Sequence, residues 1–179
     1  MKVSLRPFDA YPAAPPVVST LLASVCPLPD GALHLEFSLE GRMEALRVPL
    51  ADAPPPGPLW QHTCFEAFVS TPDTESYCEF NFSPAGLWAA GAFRRYRERA
   101  RALEENLAPL PVTSTQHTSH LTLTAEIPLL LLPSSPVLRL GIAAVIEHMD
   151  GKLEYWALHH PVGCPDFHHP DGWTLLLDR

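Results

Sequence analysis

Glycine is scarce in this sequence, nine residues in 179, and the nine are spread singly along the chain. No phosphate-cradling loop, dinucleotide fingerprint or nucleophile elbow is present, which removes the motif-marked nucleotide-binding and hydrolase classes. Basic residues are also in deficit: 12 Lys and Arg against 20 Asp and Glu leave a net charge of −8. A chain of that sign lacks the electrostatic footprint of a nucleic-acid binder or of a protein that docks on anionic membrane. No apolar run approaches the roughly 20 residues needed to span a bilayer. Cys26, Cys64, Cys78 and Cys164 form no Cys-x-x-Cys pair. The spacing fits neither a zinc knuckle nor a disulfide framework, and reduced, mostly buried thiols are expected. The first thirty residues carry Pro7, Asp9, Pro12, Pro15 and Pro16 where a signal peptide needs a clean apolar stretch. The expected location is cytoplasmic.

What is plentiful is proline, 21 residues, in a chain that is 46% hydrophobic. That much proline breaks long helices and favours short segments joined by turns. Hydrophobic period-2 runs dominate. Ala32–Leu39 alternates and is followed, after Gly41, by Met43–Leu50, which suggests a hairpin. Thr63–Ser70, Ser76–Phe82 and Leu87–Tyr96 follow, then His120–Ile127, Leu138–His148, Lys152–His159 and Trp173–Leu177. Asp150-Gly151 between two apolar runs is the strongest short hairpin signal. The run Ala51–Pro58 reads as a stiff surface loop. The expectation is an all-β chain: one domain over residues 1–179, an antiparallel β-sandwich, jelly-roll-like, of about ten strands. One short helix is expected near 95–107, opening at Arg94.

The middle hairpins can be registered from side-chain period. If Thr71–Thr74 is a four-residue loop, Phe65 faces Phe80, and Phe65, Ala67, Val69, Cys78, Phe80 and Phe82 make a core face. The opposite face carries Cys64, Glu66 and Phe68 against Asn81, Glu79 and Tyr77, with Glu66 directly across from Glu79. Turning at Ser83–Gly86 pairs Asn81 with Trp88 and adds small alanines to that face. Two like charges opposite each other cost about 0.2–1 kcal/mol unless something compensates. Three explanations stand. Arg94, Arg95 or Arg97 folds over and neutralises the pair. The face binds a ligand, with Trp88 and Tyr77 stacking on a sugar while Glu66, Glu79 and Asn81 bond its hydroxyls. The carboxyls form a glycoside acid/base pair, an arrangement nothing else in the chain supports.

The same residues carry a family resemblance. Leu59–Val69 (LWQHTCFEAFV), then Tyr77–Trp88 (YCEFNFSPAGLW), resemble the DOMON-like superfamily, within it the family-nine carbohydrate-binding modules and their bacterial relatives. Ala125–Pro128, the glycine-led Gly141–Ala144, Tyr155–Leu158, Pro165–His168 and Trp173–Leu176 resemble the later motifs. The resemblance implies a β-sandwich and a sugar or haem ligand. It departs from the sugar-binding pattern at His62-Thr63-Cys64, where an acidic pair often stands. With the opposed carboxylates, it makes the expected function a non-catalytic ligand-binding module for a carbohydrate or glycoside.

The tail gathers His159, His160, Cys164, Asp166, His168, His169 and Asp171. Imidazole, thiolate and carboxylate suit a borderline metal, although the spacing matches no zinc motif. His159, His160 and His169 are the metal candidates. Met43, Met149, His148 and the tail histidines are available as haem ligands, and calcium is a third possible cofactor. Asp166 and His168 are expected in a loop, Pro165–His169, that closes one side of the ligand face, and Arg94 is counted with them as ligand-binding. A haem- or metal-binding module and a structural protein-interaction domain are the alternatives. The expected partner is a small-molecule or carbohydrate ligand, with no nucleic acid and no membrane.

Overall fold

The computed structural model of the chain describes residues 1–8, 16–102 and 109–179. Among these residues there are thirteen strands: β1 Lys2–Ser4, β2 Arg6–Pro7, β3 Val18–Pro27, β4 Leu33–Gly41, β5 Cys64–Ser70, β6 Tyr77–Phe82 and β7 Trp88–Arg95, then β8 Glu98–Ala102, β9 Val112–Gln116, β10 His120–Ile127, β11 Val137–Glu147, β12 Leu153–Ala157 and β13 Leu175–Asp178. They form two antiparallel sheets packed as a sandwich, as expected. The smaller has the order β1-β3-β4-β10-β9; the larger runs β2-β12-β11-β5-β6-β7-β8, with β13 also paired to β11. The N-terminal segment crosses from one layer to the other, because β1 pairs with β3 and β2 with β12. No described helix is long and apolar enough to cross a membrane.

Alternation sets the inner faces. Leu33, Leu35, Phe37 and Leu39 of β4 and Leu121, Leu123, Ala125 and Ile127 of β10 are buried. They meet Phe65, Ala67 and Val69 of β5, Phe80 and Phe82 of β6 and the inward residues of β11 in one cluster. The Phe37 and Phe65 rings touch across the sandwich at 4.9 Å. In contrast to β4, every residue of β5 is buried, so its outer face is covered too. That second covering marks the site.

Two expected elements differ. Met43–Leu50 is not a strand. It is a 3-10 turn over Met43–Ala45 followed by a lone bridge from Leu46 to His148. The edges of β4 are already taken by β3 and β10, so no partner remains for a third strand. The apolar stretch at Val18–Pro27 is that missing partner. The helix expected near 95–107 is strand as far as Ala102; residues 103–107 lie outside the described residues. Arg95 Nε sits 2.6 Å from Glu98 Oε2 and Arg94 lies 4.0 Å from the same carboxylate. Charge pairs three and four apart, which read as helical, are here closed across a tight β-turn. Arg97 holds that turn at φ +55°.

Candidate functional site

Register decides which side chains share the outer face of the large sheet. Glu66 stands opposite Asn81, Phe68 opposite Glu79 and Ser70 opposite Tyr77. The expected pairing of Glu66 with Glu79 is therefore off by two. The Thr71–Ser76 loop is longer than four residues because Ser70 Oγ binds the Ser76 carbonyl at 2.7 Å. A slip of two keeps every side chain on its face, so Glu66, Tyr77, Glu79 and Asn81 do share the outer face. Glu79 is the diagonal neighbour of Glu66.

The next pair slips by one, and that matters more. Asn81 faces Ala89, Glu79 faces Gly91 and Phe82 faces Trp88. The Ser83 amide bonds the Leu87 carbonyl at 2.8 Å, enclosing Pro84, Ala85 and Gly86, with Gly86 at φ +79°. A three-residue loop closed by a left-handed glycine replaces the expected four-residue turn. Trp88 thereby turns inward, packs against the main core, and is not on the ligand face.

The same device operates at Met149-Asp150-Gly151. Gly151 is at φ +85° and the His148 amide bonds the Lys152 carbonyl at 2.8 Å. It pairs Ala144 with Trp156 and Val145 with Tyr155, one step from the expected Val145–Trp156 pair. Trp156 is core, as expected. Tyr155 joins the outer face, unforeseen.

On that face lies a second aromatic cluster of Phe68, Tyr77, Phe93 and Trp173, with Phe167 against it. Tyr77 and Phe93 stack at 4.6 Å with rings 2° from parallel, a contact of about 0.5–1.5 kcal/mol beyond burial. Gly141 explains the glycine-led strand: a Cβ there would come 2.1 Å from Trp173 Cδ1, so the indole lies directly on the backbone. Trp173 Nε1 donates to the Phe167 carbonyl at 2.9 Å. Arg139 clamps the same segment through the Trp173 and Pro170 carbonyls at 2.9 and 2.7 Å.

The Pro165–His169 loop is held over the sheet by charge. Asp166 accepts from the Arg97 guanidinium at 2.9 Å and from the Tyr96 hydroxyl at 2.6 Å. Burial alone would raise the Asp166 pKa, but the hydrogen bonds from Tyr96 and Arg97 outweigh it and leave the carboxyl below its ordinary range. The Arg97 amide donates to Tyr77 Oη at 3.1 Å, and that hydroxyl lies 2.8 Å from His168 Nδ1. Burial lowers the His168 pKa and pushes Tyr77 up to about 12. With both groups neutral, a single hydrogen bond joins Tyr77 Oη and His168 Nδ1.

Between loop and sheet opens a hollow of about 430 Å³. Glu66, Glu79 and His168 line it. So do Trp60, Gln61, Phe93, Arg97, Arg99, Val145, Leu153, Tyr155, Pro165 and Phe167. Trp60, 52% exposed, stands at its edge on a segment pinned from below. His62 Nδ1 meets Glu147 Oε2 at 2.8 Å and His62 Nε2 meets the Pro56 carbonyl at 3.0 Å. The Glu147 carboxylate also takes Arg47 Nε at 3.2 Å. His62, where the family pattern favours acid, is thus an anchor for the Trp60 loop.

Glu66 is 3% exposed, and no hydrogen bond from a described residue is among the influences on its carboxyl. Burial, then the charge of Glu79, drives its pKa well above the ordinary glutamate value. Cys64 on the same strand is raised first by burial and then by Glu66. Glu79 Oε1 accepts from Asn81 Nδ2 at 2.9 Å, so the amide steadies the second carboxylate. Gly91 opposite Glu79 leaves room for Arg99, whose Nε would lie 3.1 Å from a Cβ there.

Of the residues singled out in the sequence, Glu66, Glu79 and His168 line the hollow, while Tyr77, Asn81 and Asp166 brace it from behind. Arg94 does not reach it: its side chain is largely exposed and pairs with Glu98. Neutralisation of the acidic pair by Arg94, Arg95 or Arg97 is not what is found, because Arg94 and Arg95 turn to Glu98 and Arg97 to Asp166. The tail histidines do not converge. His159 is exposed, His160 Nε2 meets the Arg6 carbonyl at 2.9 Å, and His169 Nδ1 accepts from the Asp171 amide. Among the described residues no three His, Cys, Asp or Glu side chains gather as a metal site.

No family model matches this sequence, and no curated protein matches it either. Solved structures do resemble the fold. A Bacteroides uniformis protein, provisionally named a carbohydrate-binding protein, superposes with a TM-score of 0.69 at 16% identity over 99% of this chain and 85% of its own. A family-nine carbohydrate-binding module from Caldicellulosiruptor kristjanssonii, solved with cellotriose, gives a TM-score of 0.60 at 8% identity, covering 92% of this chain and 79% of its own. The module from the same organism in complex with glucose gives 0.56 at 8%, covering 82% and 73%. The likeness is one of fold: this chain shares the β-sandwich on which those modules are built.

Proposed function

We propose that this chain is a non-catalytic carbohydrate-binding module and that its ligand sits in the hollow on the outer face of the large sheet. The observation that carries the reading is the composition of that hollow. Aromatic rings at Trp60, Tyr155 and Phe167 border a floor bearing Glu66, Glu79 and the neutral His168. Rings cover the apolar faces of a pyranose while carboxyl, imidazole and guanidinium groups bond its hydroxyls. A volume of about 430 Å³ suits a mono- or disaccharide unit. The motifs that resemble the DOMON-like superfamily, and the shared sandwich of two sugar complexes, support the same reading.

Titration calorimetry and thermal unfolding with glucose, cellobiose and cellotriose test it. A ligand at 100 times its dissociation constant adds about 2.7 kcal/mol to the folded state. For a domain of this size that raises the midpoint by roughly 5–10 °C. Glu79→Ala and Tyr155→Ala are expected to abolish the shift while the far-ultraviolet spectrum stays that of the parent. A shift that survives both variants places the ligand elsewhere.

A further inference from the structure

We infer that Glu66 binds ligand as a carboxylic acid, donating its own proton to an oxygen of an uncharged sugar, beside the Glu79 carboxyl that Asn81 holds. This deepens the carbohydrate reading above and rests on it for the ligand, though not for the proton. Three observations carry it. The register sets Glu66 and Glu79 diagonally on adjacent strands, close enough that ionising both is costly. Only one of the two is supplied with a donor: Asn81 Nδ2 reaches Glu79 Oε1 at 2.9 Å, whereas no hydrogen bond from a described residue is among the influences on Glu66. Glu66 is also the more deeply set, 3% exposed, yet it lines the hollow.

Among the described residues burial and the charge of Glu79, and no cation, act on Glu66. On β11 it faces Ala143, and nearby Val145 is apolar. From β12 comes Tyr155, and from its own strand Cys64, a thiol itself held protonated by burial. In the closing loop His168 is kept neutral by burial, and Asp166 takes the Arg97 charge for itself. Arg99 of β8 lies across Gly91, on the Glu79 side. The floor of the site thus offers one acidic hydrogen, at Glu66. An uncharged sugar offers a ring or hydroxyl oxygen to that hydrogen. The ammonium of an amino sugar would instead demand that Glu66 ionise.

The first arm of the test needs no ligand. Carbon-13 NMR of the assigned Glu66 carboxyl across a pH series in the free protein should report a protonated acid well above the ordinary glutamate range. An ionised signal there overturns the proposal. The second arm is calorimetry with cellotriose at a pH below and a pH above the Glu66 titration that the first arm finds. Affinity of the parent should fall on the order of tenfold across that interval as the donor is lost, and the fall should vanish in Glu66→Gln, whose amide does not titrate. Affinity that holds or rises with pH in the parent overturns the donor role. Glucosamine binding more tightly than glucose, with protons released, overturns the uncharged-ligand assignment. A protonated Glu66 in a protein that binds none of these sugars overturns the carbohydrate reading and leaves the proton assignment standing.

Discussion

A carboxyl that burial keeps protonated draws on the stability of the fold. Glu66 titrates at its ordinary value once the chain unfolds and well above it in the native state, through burial and the charge of Glu79. The native state therefore binds more protons over that interval, and stability falls as pH rises from the ordinary glutamate range through the native pKa. Glu66→Gln, neutral at every pH, should flatten that part of the profile and raise the midpoint at neutral pH, as read by denaturation across a pH series. An unchanged slope would mean that Glu66 ionises freely in the fold. A second residue-scale expectation concerns Asp166, whose hydrogen bonds to Tyr96 and Arg97 tie the closing loop to the β7–β8 turn. Asp166→Ala should cost about 1–3 kcal/mol, as for a lost charge-assisted hydrogen bond. It should also speed amide exchange in the Pro165–His169 segment. Loss of stability without faster exchange there would assign Asp166 no role in holding the loop.

Three hairpins of this protein close with one device, and they fix which residues share a face. Pro29-Asp30-Gly31, Pro84-Ala85-Gly86 and Met149-Asp150-Gly151 each end on a left-handed glycine, at φ +85°, +79° and +85°. Alanine at Gly31, Gly86 or Gly151 should cost about 1–2 kcal/mol each, the penalty of placing a Cβ in that region, measured by chemical denaturation. The strands β5, β6, β7, β10, β11 and β12 were legible from alternation, as was the pairing of β5 with β6 to within a slip of two. Loop length was not, because Ser-Pro-Ala-Gly and Asp-Gly fit odd and even loops alike. An odd loop moves every following side chain to the other face, and Trp88 went inward for that reason. Glu66, Glu79 and His168 meet at one hollow, and their strands or loop could be read in the right phase. Arg99 and Phe167 carried no local signal, since only the closure of loop on sheet brings them to the hollow. Gly141, by contrast, has an element-scale reason: Gly141→Ala would drive a methyl into the Trp173 indole. It should cost at least 1–3 kcal/mol as an overpacked site and loosen the closing segment along with it.

The whole molecule is two layers around one core, and its outer aromatic cluster is a satellite built on only one of them. Truncating the inter-sheet contact, Phe37→Ala or Phe65→Ala, should cost about 3–5 kcal/mol and lower the midpoint of the entire transition. Trp173→Ala acts on the satellite: ligand affinity should suffer more than the cooperativity of unfolding. A probe-dependent transition in that variant, with the closing loop melting ahead of the sheets, is the signature to look for.

The layers are also stitched together at the N-terminal end. Within its first seven residues the chain pairs three positions with β3 in one sheet and two with β12 in the other. At the far end, β13 is joined to β11, inside the larger sheet. Under tension applied to the two ends, load enters through that short strap before it reaches the core. Its two strands, of three and two residues, are the shortest described. In a single-molecule stretching trace it should give way as a small early event, exposing one edge of each sheet while the sandwich and its hollow stay intact.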